Sequence, residues 1–303
     1  MPNRDLILLE TVKTHRARLT SAFVFGELQE RRVANDNVRR LVGGIVLAAV
    51  LCAGCVGFSF VSSIRGDQAA AQREKAGLGP ATGAIVAADT FDRVAPRGWG
   101  TAERGGRWRL TGPVGDYAVA DGAGTVTVPE DQLRGGYLPA QLQDRSDVTA
   151  TFQRRTAPRD GSVTVAVTGR RVSSTQDYRA NLRLAGNGSV ALSLSRRAEP
   201  GTSGERDQGM SPTVILIGPD EDQEVDPQPV AVRVQVIGTS PTTVRAKAWL
   251  ANGSEPADWT VNASDSTAGL QRPGSIGFAA VRTSGSDRGA DLALTDVVAR
   301  VAP

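Results

Sequence analysis

Arg245, Lys247 and Trp249 alternate with Val244, Ala246, Ala248 and Leu250, and Arg179, Asn181 and Arg183 alternate with Tyr178, Ala180, Leu182 and Leu184. Successive side chains of an extended chain point to opposite faces, so each polar set shares one face of a strand. An aromatic surface beside guanidinium and ammonium donors suits a sugar ring or an acidic glycan. The same alternation is what a half-buried strand with one solvated face displays without any ligand. Arg179, Arg183, Arg245, Lys247 and Trp249 are therefore candidate ligand-binding residues, with a plain solvated face as the alternative.

Other chemistries are narrowed by what is missing. The single His is His15 and the two Cys are Cys52 and Cys55, so nothing beyond residue 64 can supply a His-based triad, a thiol nucleophile or an ordinary zinc site. A glycosidase needs two carboxylates about 5–9.5 Å apart. The densest acidic run, Asp220-Glu221-Asp222-Gln223-Glu224-Val225-Asp226, lies between Pro219 and Pro227 and reads as a solvated loop. It also fails as a calcium loop of the EF-hand type, with Val225 where Gly is required and Ala231 where Glu should close it. A non-catalytic domain is expected, and a glycosidase using Glu221 or Glu224 is the enzymatic alternative. The net charge is +3 without clustered Lys and Arg, and residues 85–303 carry 24 basic against 25 acidic side chains, so no nucleic-acid partner is expected.

The elements that position these residues are strands. Val148, Ala150 and Phe152 alternate with polar neighbours, as do Val163, Val165 and Val167, then Val190, Leu192 and Leu194, then Val230, Val232, Val234 and Val236. Each set predicts a strand with one apolar face. Gly186-Asn187-Gly188 and Gly238-Thr239-Ser240-Pro241-Thr242 predict tight turns between neighbouring runs. After residue 85 no sustained helical period appears. About a dozen strands over this length predict an all-β, two-sheet antiparallel sandwich.

Leu41 to Ile64 runs 24 residues without a charge, enough for one transmembrane helix. A buried soluble helix and a cleaved signal peptide are the alternatives; 40 preceding residues and the lack of an A-x-A exit favour retention. Arg31, Arg32, Arg39 and Arg40 before the span, against Arg65, Arg73 and Lys75 after it, predict a cytoplasmic N-terminus and an extracytoplasmic C-terminal part. Cys52 and Cys55 read as small packing residues, and the ridge Ala49, Ala53, Gly57 would admit a second membrane helix as partner. The expected organisation is a basic cytoplasmic segment at 1–40, the span at 41–64 in the lipid bilayer, a spacer at 65–84 rich in Ala, Gly and Gln, and one domain at 85–303.

Two resemblances extend this reading. Ser21-Ala22-Phe23-Val24-Phe25-Gly26, Asn37-Val38-Arg39-Arg40, Gly44, Leu47-Ala48-Ala49-Val50 and Ala53-Gly54-Cys55 resemble the N-terminal anchor of the EccB family of actinobacterial type VII secretion. Asp89-Thr90-Phe91-Asp92-Arg93, Gly98-Trp99-Gly100, Trp108-Arg109-Leu110, Asp177-Tyr178-Arg179-Ala180, Val244 to Trp249, Pro273 to Gly277 and Thr295-Asp296-Val297-Val298 resemble landmarks of laminin-G-like, concanavalin-type jelly rolls of actinobacterial surface proteins. The second implies a jelly-roll sandwich whose first and last strands are neighbours, and a structural calcium on Asp296. Together these readings lead to the expectation of a single-pass, membrane-anchored surface protein. Its outer jelly roll would bind cell-envelope carbohydrate without catalysis; an accessory subunit of a secretion-related membrane assembly is the alternative.

Overall fold

A computed structural model describes residues 10–13, 15–16, 82–139, 144–156, 161–198, 207–219, 228–283 and 290–303. The 41–64 span, most of the flanking 1–40 and 65–84 segments and the acidic run 220–226 lie outside the described residues. Residues 10–13 and 15–16 are helical; among the described residues no helix is long and apolar enough to cross a membrane. The chain divides into two units, Met1–Ala69 and Ala70–Pro303, and every described strand belongs to the second.

In chain order the strands are β1 (Ile85–Asp89), β2 (Arg109–Thr111), β3 (Tyr117–Ala120), β4 (Ala123–Val128), β5 (Arg134–Leu138), β6 (Arg145–Thr156), β7 (Ser162–Ser173) and β8 (Gln176–Ala185). They continue as β9 (Val190–Arg197), β10 (Asp207–Gly209), β11 (Val214–Ile217), β12 (Val230–Ile237), β13 (Thr242–Leu250), β14 (Val261–Asp265), β15 (Ser275–Thr283) and β16 (Ala290–Arg300). One sheet runs β14-β13-β12-β6-β16-β4-β3, with β1 beside β16; the other runs β10-β9-β8-β7-β15-β5-β2, with β11 beside β9. The named pairs are antiparallel throughout. This is an all-β, two-sheet jelly-roll sandwich, and its first and last strands do pair.

The alternating stretches of the sequence fall on β6, β7, β9 and β12 with their apolar sets inside. Val148, Ala150 and Phe152 of one sheet and Val163, Val165, Val167, Leu192 and Leu194 of the other are buried in one core. Gly186 and Asn187 turn β8 into β9, with Gly188 at φ 80°, a conformation that costs glycine little.

One end of the core is built on an aromatic knot. Trp99 has four rings around it, Phe91, Trp108, Tyr117 and Phe278, at centroid distances of 5.2–5.5 Å. The Asp89 carboxylate, fully buried, accepts from Trp108 Nε1 at 2.6 Å, from the Phe91 backbone N–H at 2.9 Å, and from both terminal nitrogens of Arg93 at 2.7 and 2.8 Å. Arg93 in turn donates to the Trp99 carbonyl, and its guanidinium is held above its ordinary pKa, chiefly by the Asp89 hydrogen bonds. Phe91 turns through φ 58° to enter the knot. Its ring occupies the space a Cβ on Gly124 would need, 2.5 Å away.

Removing one partner of a buried pair leaves the other charge uncompensated. Arg93→Ala is expected to lower the unfolding free energy by about 3 kcal/mol, measured by denaturant titration. A second outcome concerns Tyr117, whose hydroxyl lies between the carbonyls of Thr111 and Gly135. Burial pushes its pKa up to about 12. The folded state holds this proton more tightly than the unfolded chain, whose Tyr titrates near 10. Stability is therefore expected to fall as pH rises from about 10 to 12. Tyr117→Phe should flatten that alkaline limb in thermal denaturation.

Candidate functional site

The two alternating sets of the sequence point outward as expected, but from different sheets. Arg179 and Arg183 are on β8, and Arg245, Lys247 and Trp249 are on β13. Facing sheets pack about 10 Å apart, so the two sets sit on opposite outer faces and never form one platform.

On the β13 face the basic residues are already occupied. Arg233 of β12 grips Asp147 through Nε and Nη2 at 2.7 and 2.6 Å and reaches Glu255 at 2.7 Å. Lys247 Nζ lies 2.9 Å from Glu255 and also donates to the Pro256 carbonyl. Arg245 donates to Gln235 at 2.7 Å. Desolvation pushes the Glu255 pKa up, but the hydrogen bonds from Lys247 and Arg233 outweigh it, and the net shift is downward. The aromatic partner here is Trp259, not Trp249: the cationic groups of Arg245, Lys247 and Arg233 lie 4.6, 5.0 and 5.7 Å from the Trp259 ring centre. Trp249 stands one row along, opposite Ala231. Trp259 belongs to a loop without alternation, so no periodic signal marked it.

On the β8 face the polar groups are paired as well, but beside an open depression. Arg179 makes a two-pronged pair with Asp177, both contacts 2.6 Å, with Asp207 at 3.6 Å. Asn181 Nδ2 donates to Ser195 Oγ at 2.8 Å, and Arg183 Nε to Ser162 Oγ at 3.2 Å. Beside them an open depression of about 370 Å³ is lined by Arg179, Asn181, Ser193, Ser195, Asp207 and Thr213, among others. The register carries this row across the sheet, from Ser195 through Arg179, Thr168 and Gly277 to Tyr137. At Gly277 a Cβ would come within 2.4 Å of the Gly136 carbonyl and 2.8 Å of Tyr137 Cβ. Between Arg179 and Tyr137, Thr168 and Gly277 are themselves buried, so the row is continuous in register but covered by neighbouring side chains. Arg171 lies over the Tyr137 ring at 4.1 Å. This face joins hydroxyls, a carboxamide and a guanidinium on rigid strands, groups able to donate and accept hydrogen bonds. Asp207 lines the depression, Asp177 stands beside it, and both pair with Arg179.

Asp296 is exposed and holds φ 51° at a bulge of β16. Before it β16 pairs with β4, after it with β1, so its observed role is in the backbone; Asp tolerates this left-handed conformation better than most residues. Among the described residues no group of three or more His, Cys, Asp or Glu gathers in a way that could hold a metal. Glu221 and Glu224 lie outside the described residues.

No family profile and no curated protein matches the chain. Solved structures do. A glycoside hydrolase family protein from Mycobacterium thermorestibile superposes with a TM-score of 0.45 at 11% identity, covering 71% of this chain and 99% of that one. A legume lectin-like domain from Entamoeba histolytica gives 0.44 at 9%, covering 65% and 90%. A β-1,3-glucanase from Mycobacterium marinum gives 0.44 at 13%, covering 72% and 100%. The jelly-roll assignment rests on the strand order above, and no ligand or activity passes to this chain from these likenesses.

Trp259 is expected to serve stability on the β13 face. Each partly exposed cation–π contact contributes about 0.5–1 kcal/mol. Trp259→Leu should cost about 1–2 kcal/mol in denaturant titrations, with a smaller loss at high salt; an unchanged midpoint would contradict this role.

Proposed function

We propose that the sandwich is a non-catalytic carbohydrate-binding module that takes a hydroxyl-rich envelope glycan across the outer face of β8, β9 and β10. The observation that carries this reading is the depression beside Arg179 and Asn181. Its polar groups are fixed by strands. Pairing with Asp177 holds the Arg179 fork in one orientation, which reduces the entropy lost on binding. Asp296 supplies one of the six or more oxygens a calcium ion requires, so binding is proposed to be independent of metal.

The placement at the cell surface is part of the same proposal. The uncharged stretch 41–64 supports a single-pass anchor, and the excess of Arg before it supports an inward N-terminus. The sandwich would then project from the membrane on the 65–84 spacer.

A glycan array and envelope-polysaccharide binding assay on the purified protein tests this. Asn181→Ala and Ser193→Ala are each expected to weaken binding roughly tenfold, the effect of losing about 1.4 kcal/mol. Trp249→Ala and added chelator should leave it unchanged. Loss of binding on Trp249→Ala alone would move the site to the other sheet. No glycan binding at all would turn the reading to a protein-contacting subunit of a membrane assembly, tested by co-purification with the full-length chain.

A further inference from the structure

The two ends of the sandwich treat a buried arginine differently. At one end Arg170, 2% exposed, is engaged through both terminal nitrogens. It donates to Thr242 Oγ1 at 3.1 Å and to the carbonyls of Asp144 and Gly238 at 2.5 and 3.0 Å, and it lies over the Tyr178 ring. At the other end Arg154, 6% exposed, continues the inward series Val148, Ala150, Phe152 along β6. It donates from Nη2 to the Gly186 carbonyl at a long 3.4 Å. Among the described residues its Nη1 is buried without a hydrogen-bond partner. Burial pushes its pKa down, yet a guanidinium keeps its charge at neutral pH. A buried donor without a partner is costly, and a buried charge more so.

This arginine borders a cavity. Leu184, Val190, Ile217, Val230 and Leu250 line about 130 Å³ of space beside it, between the ends of β8, β9, β11, β12 and β13. We propose that this cavity is a binding site for a small apolar carboxylate, its anionic head on Arg154 and its body against these five side chains. The charge selects the head. A monoanion neutralises one guanidinium, whereas a phosphate brings more charge and oxygens than one free buried donor can serve. The walls select the body, since an apolar surface rewards apolar groups and penalises unpaired polar ones. The volume selects the size: a cavity of about 150 Å³ lined by aliphatic and aromatic side chains takes one benzene ring. The site is separate from the outer face of β8 and does not rest on the glycan reading.

Sodium benzoate is the probe, titrated calorimetrically into the full-length detergent-solubilised protein with benzamide, its uncharged isostere, as control. Saturable binding of benzoate is expected, at least roughly tenfold tighter than benzamide, the weight of a hydrogen bond to a charged group. Arg154→Met keeps the volume and should remove that preference. It should also leave the melting temperature equal or higher, because a buried charge replaced by a hydrophobic isostere seldom destabilises. Leu250→Trp keeps Arg154 and fills the cavity, and should abolish binding of both compounds. No saturable benzoate binding to the wild type, equal affinity for benzamide, or binding untouched by both variants would each overturn the proposal.

Discussion

The packing of this sandwich depends on one buried carboxylate. Asp89, at the end of the first strand, accepts from an indole, a backbone amide and both terminal nitrogens of Arg93, so a charge that would be prohibitive alone is fully hydrogen-bonded. Because Trp108 and Phe91 are tied to the same carboxylate, their rings are set around Trp99. That aromatic knot fills the space between the strand β4 of one sheet and β15 of the other, through Gly124 and Phe278. Gly124 is required for the same reason, since any side chain there would displace Phe91.

Elsewhere the fold handles polar groups by pairing them across strands, and the two outer faces differ in what that leaves available. Around Trp259 the cations and carboxylates satisfy each other, and the cationic groups of Arg233, Arg245 and Lys247 lie over the ring. Around Arg179 the pairing orients a guanidinium beside an open depression. The first arrangement is a stabilising lid over a solvated face; the second is a preorganised set of donors and acceptors. The same residue types therefore serve different ends, and what separates them is the presence or absence of a covering loop.

Much of the architecture was legible in the chain. Strands β6, β7, β8, β9, β12 and β13 are eight to twelve residues long, enough for alternation to repeat. Strands β2, β10 and β11 are three or four residues long, too short for any period, and their pairing is supplied by neighbours. Arg154 was marked in principle: continuing the even-numbered series from Val148 puts it inside, against the habit of placing arginine at the surface. Trp259 carried no such mark, because a loop residue's contacts depend on where the chain folds back.

Sequence alone determined the all-β class, the inward and outward faces of the long strands, and the chemistry excluded by having no His or Cys beyond residue 64. These follow from local rules, a period of two and the reactivity of individual side chains. Tertiary structure alone decided that Arg179 and Arg245 stand on opposite sheets, that Trp259 rather than Trp249 meets the β13 cations, and that Arg154 borders a cavity. Sheet membership is set by hydrogen bonding between strands far apart in the chain, such as β6 with β12 and β16. No periodicity within a strand encodes which distant partner it will find.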